Sequence, residues 1–287
     1  MTRLPPLADL ALDHRYANND GVRLHYAACG DAGPPLVMIH GFPDFWFTWR
    51  YQLPTLAQRY RLAAMDLRGY NLSDKPAATT DYEMPALLGD VAAVIGAHGG
   101  GPAIVVGHDW GGAIAWALAT LRPDLVSALV VLNLPHPLCL LRELATNPAQ
   151  QAASAYARGF QQPGAEQALR QQDLIAWVSD AGARAAHEEA LGRSDAAAML
   201  AYYRCNYPRA PYQESPWPRA KVPVPVLMIH GLDDPFLLPG ALNGTWEWVA
   251  KDFTLITVPG AGHWVHHDAA DLVTRSIEGW LAARAGA

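Results

Sequence analysis

AIVVGHDWGGAIAWALATL (103–121) is the stretch that decides the fold. Four apolar residues, Ala103 to Val106, read as a buried strand. A Gly-containing turn follows, and then an Ala/Leu/Ile run with helical periodicity. Gly107 and Gly111 permit a tight turn and a close approach of helix to strand. The turn has the form G-x-nucleophile-x-G, and its central position holds Asp109. A carboxylate is ionised near neutral pH, so it needs no base to become nucleophilic. It suits displacement at a saturated carbon, where it would form an ester with the substrate. The bland alternative is an Asp capping the helix N-terminus.

Outward from this turn, apolar runs alternate with amphipathic ones. Strands are expected at 22–30, 34–41, 61–69, 103–109, 125–135, 223–231 and 253–260. Helices are expected at 47–58, 84–99, 110–123 and 271–285. Val/Ile/Leu runs between helices indicate a mostly parallel central sheet covered on both faces, an α/β class. HGGGP (98–102) reads as a turn between a helix and a strand. No Lys follows it and no helix begins there, so it is not a phosphate cradle. The rhythm breaks at about 138. From there to 215 the chain is rich in Ala, Gln and Arg, with no strand-like run and prolines on both sides (Pro135 and Pro137; Pro211, Pro216 and Pro218). The expected organisation is a core of 1–137 and 216–287 with an inserted all-helical cap, 138–215.

Composition bounds the function. Of 287 residues, 51% are hydrophobic and 17% charged, which is ample material for a core. With 21 Lys and Arg against 27 Asp and Glu the formal charge is −6, so no basic footprint for nucleic acid exists. No apolar run approaches a membrane span. The start, MTRLPPLADLALDHRY, lacks a continuous apolar region of signal-peptide type. Cys29, Cys139 and Cys205 have no metal-like spacing and read as reduced thiols, which suggests a cytoplasmic protein. No His/Cys/Asp/Glu group shows metal-ligand spacing. Neither metal nor cofactor is expected.

Eleven histidines compete for the role of base. His263, in PGAGHW (259–264), lies in a Gly-rich loop between a late strand and the last helix. Asp234, in HGLDDP (230–235), closes the turn after another strand and would orient it; Asp233 is the alternative acid. His266 and His267 are expected at the surface, His40 and His108 in structural roles, and His136 at the edge of the cap. The loop HGFP (40–43) follows the strand PPLVMI.

Together these residues resemble the α/β-hydrolase-fold epoxide hydrolases, the soluble epoxide hydrolase-like proteins close to the haloalkane dehalogenases. The likeness runs over nearly the whole chain: HGFPDFWFTWRYQL (40–53), DLRGYNLSDKP (66–76), GHDWGG (107–112), LNLPHP (132–137), GLDDPF (231–236) and AGHW (261–264). Asp109, Asp234 and His263 match the family's chain order of nucleophile, acid and histidine. The resemblance implies an oxyanion hole from the backbone N–H groups of Phe42 and Trp110. It also implies two cap tyrosines that hold and protonate the epoxide oxygen. One precedes an FQxPG segment by four positions, which is Tyr156 before FQQPG (160–164). The other sits in a Tyr-Arg pair, which is Tyr203 before Arg204, with Tyr202 as its neighbour alternative. A phenol is a neutral donor with an ordinary pKa of about 10. Phe42, Pro43, Trp110, Tyr202 and Trp264 are the expected substrate contacts, with Trp177 and Met199 as further cap side chains. Two rivals stand beside this reading. Haloalkane dehalogenases use the same Asp, but place Asn where Phe42 stands. A non-catalytic ligand-binding member of the fold would have no use for all five polar residues. The implied substrate is a small apolar epoxide and the implied assembly a monomer or homodimer.

Overall fold

The computed structural model describes residues 7–213, 217 and 219–284. Its spine is one eight-stranded sheet in the order β1-β2-β4-β3-β5-β6-β7-β8. The strands are β1 (Asp13–Asn19), β2 (Val22–Cys29), β3 (Pro35–Ile39), β4 (Arg61–Met65), β5 (Ala103–His108), β6 (Val126–Leu132), β7 (Val226–Gly231) and β8 (Phe253–Val258). β2 pairs antiparallel with β1 and with β4, and every other pairing is parallel. Alternate residues of the central strands enter opposite cores. Val37, Ile39 and Val105 join one apolar cluster, whereas Leu36, Met38, Ile104 and Val106 join the other. That two-sided burial is why the strands read as unbroken apolar runs.

The core helices are α1 (Leu53–Leu56), α2 (Met84–Ala97), α3 (Trp110–Leu121), α10 (Val265–Asp268) and α11 (Ala270–Ala282). Helices α2 and α3 cover one face of the sheet. Helix α11 covers the other with Val273, Ile277 and Trp280. Between β6 and β7 lie α4 (Pro137–Thr146), α5 (Pro148–Ala153), α6 (Ala155–Phe160), α7 (Gln171–Leu174), α8 (Ala181–Arg193) and α9 (Ala196–Asn206). Among the described residues this insertion contains no named strand. It is tied to the core by polar contacts. The Tyr202 hydroxyl donates to Arg68 O at 2.9 Å, Asn206 Nδ2 to Tyr82 O at 2.8 Å, and Asp195 N to Gly69 O at 3.0 Å. The expected cap boundary at 215/216, with Pro216 and Pro218, lies outside the described residues.

The sequence reading changes at four elements. β1 was not anticipated, because only Ala17 of its seven residues is buried and no apolar run marks it. The helix expected over 47–58 is instead a 3-10 turn, Trp46–Trp49, followed by the single turn α1. Pro54 fits the first turn of α1 but cannot continue a helix begun earlier. The strand expected over 61–69 stops at Met65, and the one expected over 125–135 stops at Leu132. The residues beyond turn over the sheet to build the site.

The site lies where the strand order reverses. β3 leads to β4 on one side and β5 to β6 on the other, leaving a crevice above their carboxyl ends.

Candidate active site

Asp109 stands between β5 and α3 with φ 51° and ψ −121°. A non-glycine residue costs about 1–3 kcal/mol in such a region. The strain lifts the side chain off the sheet, and Asp109 makes no side-chain cap bond to α3, so the capping alternative fails. Tight contacts enforce the turn. A Cβ on Gly111 would lie 2.1 Å from Ile39 O, and one on Gly41 would lie 2.3 Å from the Asp109 Cβ. Only glycine lets the 40–43 loop pass against the nucleophile.

The two oxygens of Asp109 have different neighbours. Oδ1 accepts a 2.7 Å hydrogen bond from Phe42 N–H. Oδ2 lies 3.7 Å from His263 Nε2, an ion-pair contact longer than a hydrogen bond. Among the described residues no hydrogen bond joins Trp110 N–H to this carboxylate, so only the Phe42 half of the expected donor pair is engaged. The Phe42–Pro43 peptide bond is cis.

His263 Nδ1 donates to Asp234 Oδ2 at 2.8 Å. Asp234 is anchored by three more donors: Phe236 N and Leu237 N on Oδ1, and Asn133 Nδ2 on Oδ2 at 2.7 Å. Asp233 is exposed and not bonded to the imidazole. Burial opposes charge on His263, but Asp234 and then Asp109 outweigh it and raise its pKa to about 10. Burial alone would raise the two carboxylates, yet His263 holds both below the usual carboxylate range. Asp109 is thus an anion beside an imidazolium.

Asn133 escaped the sequence reading. Its φ of 42° swings it out of line with β6. Its Nδ2 donates to Asp234 and to Gly262 O, and its Oδ1 accepts from Gly231 N. The signal available in the sequence was a polar Asn directly after an apolar strand, inside LNLPHP.

Two cavities meet at Asp109, Tyr156 and Tyr203. The inner one continues along Trp110, Leu134, Tyr207 and Leu237. The outer one, about 330 Å³, is lined by Phe42, Pro43, Phe160, Trp177, Phe236 and Trp264, with His263 in its wall and Asp173 among its lining side chains. Burial holds the Tyr156 and Tyr203 phenols well above their usual pKa, so both are neutral donors. Their rings stand 6.0 Å apart at 81°, and Tyr203 lies edge-on to Trp110 at 5.0 Å.

Other expectations are corrected. Tyr202 is fully buried, bonds Arg68 O and lines neither cavity. Met199 is a core side chain. His136 is buried, accepts from Leu138 N and stacks on Trp248, away from both cavities. His266 is not on the surface: it is fully buried, with His267 half-buried beside it. His40 and His108, expected in structural roles, need no such correction: both are buried, bonding Gly41 O and Leu67 N, and His263 O, respectively.

Folding also assembles a group that no spacing announces. Asp44, His266 and His267 each bring one candidate metal-ligand atom within 4.8 Å of the others. The Thr48 hydroxyl sits 2.7 Å from His266 Nε2 and 2.9 Å from His267 Nε2, and Arg50 donates to His267 Nδ1 at 3.2 Å. With a hydroxyl already bonding both rings and a guanidinium alongside, the group fits a hydrogen-bond cluster better than a cation site.

The matching family model is that of the alpha/beta hydrolase fold, over residues 34–270. An AB hydrolase superfamily protein, YfhM of Bacillus subtilis, is 36% identical over 93% of this chain and 97% of its own length. Epoxide hydrolase 3 of Xenopus tropicalis is 33% identical over 92% of this chain and 76% of its own length. Among solved structures, an epoxide hydrolase of Bacillus megaterium with an inhibitor superposes with a TM-score of 0.88 at 31% identity, over 93% of this chain and 100% of that one. A mutant of that enzyme, complexed with its product (R)-3-[1]naphthyloxy-propane-1,2-diol, gives a TM-score of 0.87 at 32% identity, with the same coverage of both chains.

Proposed function

This chain belongs to the alpha/beta hydrolase fold family, and from that membership we propose that it is an epoxide hydrolase, converting an apolar epoxide and water to a vicinal diol. The observation that carries the reading is a carboxylate at the elbow, faced by two neutral phenols where two apolar cavities meet. A serine-type hydrolase would not need the phenols.

The chemistry runs in two steps. Asp109 Oδ2 attacks an epoxide carbon from behind; the C–O bond opens, and Tyr156 and Tyr203 donate to the leaving oxygen and supply its proton. Oδ1, the oxygen held by Phe42 N–H, becomes the ester carbonyl. Once esterified, Asp109 no longer carries the charge that helps keep His263 protonated. The imidazolium loses that support and gives its Nε2 proton to the phenolate left by ring opening, and the neutral imidazole can then accept a proton from water. Water then attacks the ester carbon. Negative charge develops on Oδ1, where the Phe42 amide already points. Asp234 stabilises the imidazolium, which gives its proton to the departing diol oxygen as the C–O bond of the tetrahedral adduct breaks; the Asp109 carboxyl then passes its proton to His263, restoring the resting pair.

The insertion of residues 138–215 is read as the cap that presents both tyrosines. A cytoplasmic placement is proposed from the three free thiols. A small-molecule epoxide is the partner proposed, to a monomer or homodimer.

The test is a single turnover in ¹⁸O-water. Label should enter the Asp109 carboxylate first and the diol only in later turnovers. Direct labelling of the diol with an unlabelled Asp109 would overturn the covalent route. Halide release from bromoalkanes, with no diol from styrene oxide, would instead assign the dehalogenase reaction.

A further inference from the structure

His187, on α8 of the insertion, lines neither cavity, yet its contacts bear on the nucleophile. Its Nδ1 lies 2.7 Å from Ala183 O and its Nε2 lies 3.1 Å from Asp44 Oδ1. Both neighbours are acceptors, so both ring nitrogens carry protons and the ring is an imidazolium. Asp44 Oδ1 also accepts from Phe45 N at 2.9 Å, which makes the carboxylate the anionic partner. The pair is sealed from water, with side chains 1% and 0% exposed. Phe45 and Trp177 stand edge-on around the ring, at 5.1 and 5.3 Å.

A buried ion pair is weak evidence for stability, because desolvation offsets its attraction. What distinguishes this one is what it joins. Asp44 lies two residues beyond Phe42, and Asp44 N donates to Gly41 O at 2.9 Å, closing the turn that delivers Phe42 N–H to Asp109 Oδ1. His187 belongs to the insertion. The pair therefore bridges the insertion and the oxyanion turn across 143 residues of sequence.

We propose that His187 and Asp44 are positioning residues: their buried pair ties α8 to the Gly41–Phe45 turn and holds the Phe42 amide against the nucleophile's oxygen while the insertion is docked. This extends the covalent reading above, since it is the ester-hydrolysis step that loads the amide with charge.

The charged and titratable groups around the pair are few. His267 faces Asp44 but is neutral, pushed down to about 3 by burial and by Arg50. Arg50 opposes the charge on His187. Burial opposes it too, and the Asp44 carboxylate overcomes both, leaving the pKa of His187 above its ordinary value. As pH rises through that raised value, the ring keeps one proton for two acceptors, its charge is gone, and the ion pair with Asp44 is lost. Ester hydrolysis should then slow on the alkaline side.

The test compares wild type with His187→Gln, Asp44→Asn and the double variant, measuring two quantities on the folded protein. Hydrogen exchange of the peptide spanning 40–46 reads the turn without any chemistry; each variant should exchange about tenfold faster. Single-turnover rates of ester formation and ester hydrolysis read the consequence. Hydrolysis should fall about tenfold and formation less than threefold, and the double variant should be no worse than either single one, because the pair acts as a unit. His187→Gln should also lose the alkaline fall in hydrolysis. Unchanged exchange at 40–46, or equal slowing of both steps in proportion to lost stability, overturns the proposal. If wild type forms no ester, the covalent reading fails on its own, and the exchange measurement still decides the tie.

Discussion

At the residue scale, each polar group has one geometrical duty. His263 is raised to about 10 by two carboxylates, and one of them loses its charge when the ester forms. In the proposed mechanism the histidine is charged while Asp109 must be an anion, and once Asp109 is an ester it can give up its proton and act as base. Replacing His263 with Gln removes the base but leaves the nucleophile. Mass spectrometry of His263→Gln after epoxide addition should show a stable adduct of enzyme plus one substrate, mapped to Asp109. In the proposed mechanism the tyrosines act in the other step. General-acid assistance contributes about 10²–10⁴-fold, so Tyr156→Phe/Tyr203→Phe should slow ring opening by that order in a pre-steady-state assay. An adduct preformed on His263→Gln should be equally long-lived with or without the phenols.

At the element scale, the site depends on where strands stop. β6 ends at Leu132, and Asn133 turns out with positive φ to support Asp234. Asn133→Ala removes two donated bonds and leaves Gly231 N–H buried without its acceptor. That should cost about 2 kcal/mol. For a chain of this size it should lower Tm by about 5 °C, read by calorimetry, together with slower ester hydrolysis. The same scale explains what was legible. The β5–turn–α3 unit is contiguous, so periodicity and two glycines reveal it. β1 carries no apolar run, because it is an edge strand with only Ala17 inside. The 47–58 segment was expected as one helix, but Pro54 can stand only in a first turn, so the segment divides into a 3-10 turn and α1.

At the scale of the whole molecule, the insertion and the core form a charge-sparse apolar channel around one buried acid. Asp109, Asp173 and His263 are the ionisable residues lining the cavities besides tyrosine, and no Lys or Arg lines them among the described residues. A substrate carboxylate would meet like charge at Asp109 and Asp173, and the His263 imidazolium in the cavity wall is already paired with Asp109 and Asp234. An epoxide bearing a free carboxylate should therefore show a KM at least tenfold above that of its methyl ester, with the difference shrinking in high salt. Equal KM values would remove the selectivity. Overall charge does not set this preference; the local lining does.

Sequence alone named Asp109 as the candidate nucleophile and the class of chemistry proposed for it. Asp109 is placed by a strand, a turn and a helix that follow one another directly, and its reactivity follows from being a carboxylate. The two candidate phenols could also be named from the sequence, through their family likeness. Tertiary structure alone decided which neighbours each group has. Asn133 reaches Asp234 over 101 residues, His187 reaches Asp44 over 143, and Thr48 meets His266 over 218. It also turned Tyr202 into a core residue and buried His266. Such pairings come from how layers pack, and packing joins positions whose spacing along the chain carries no period to read.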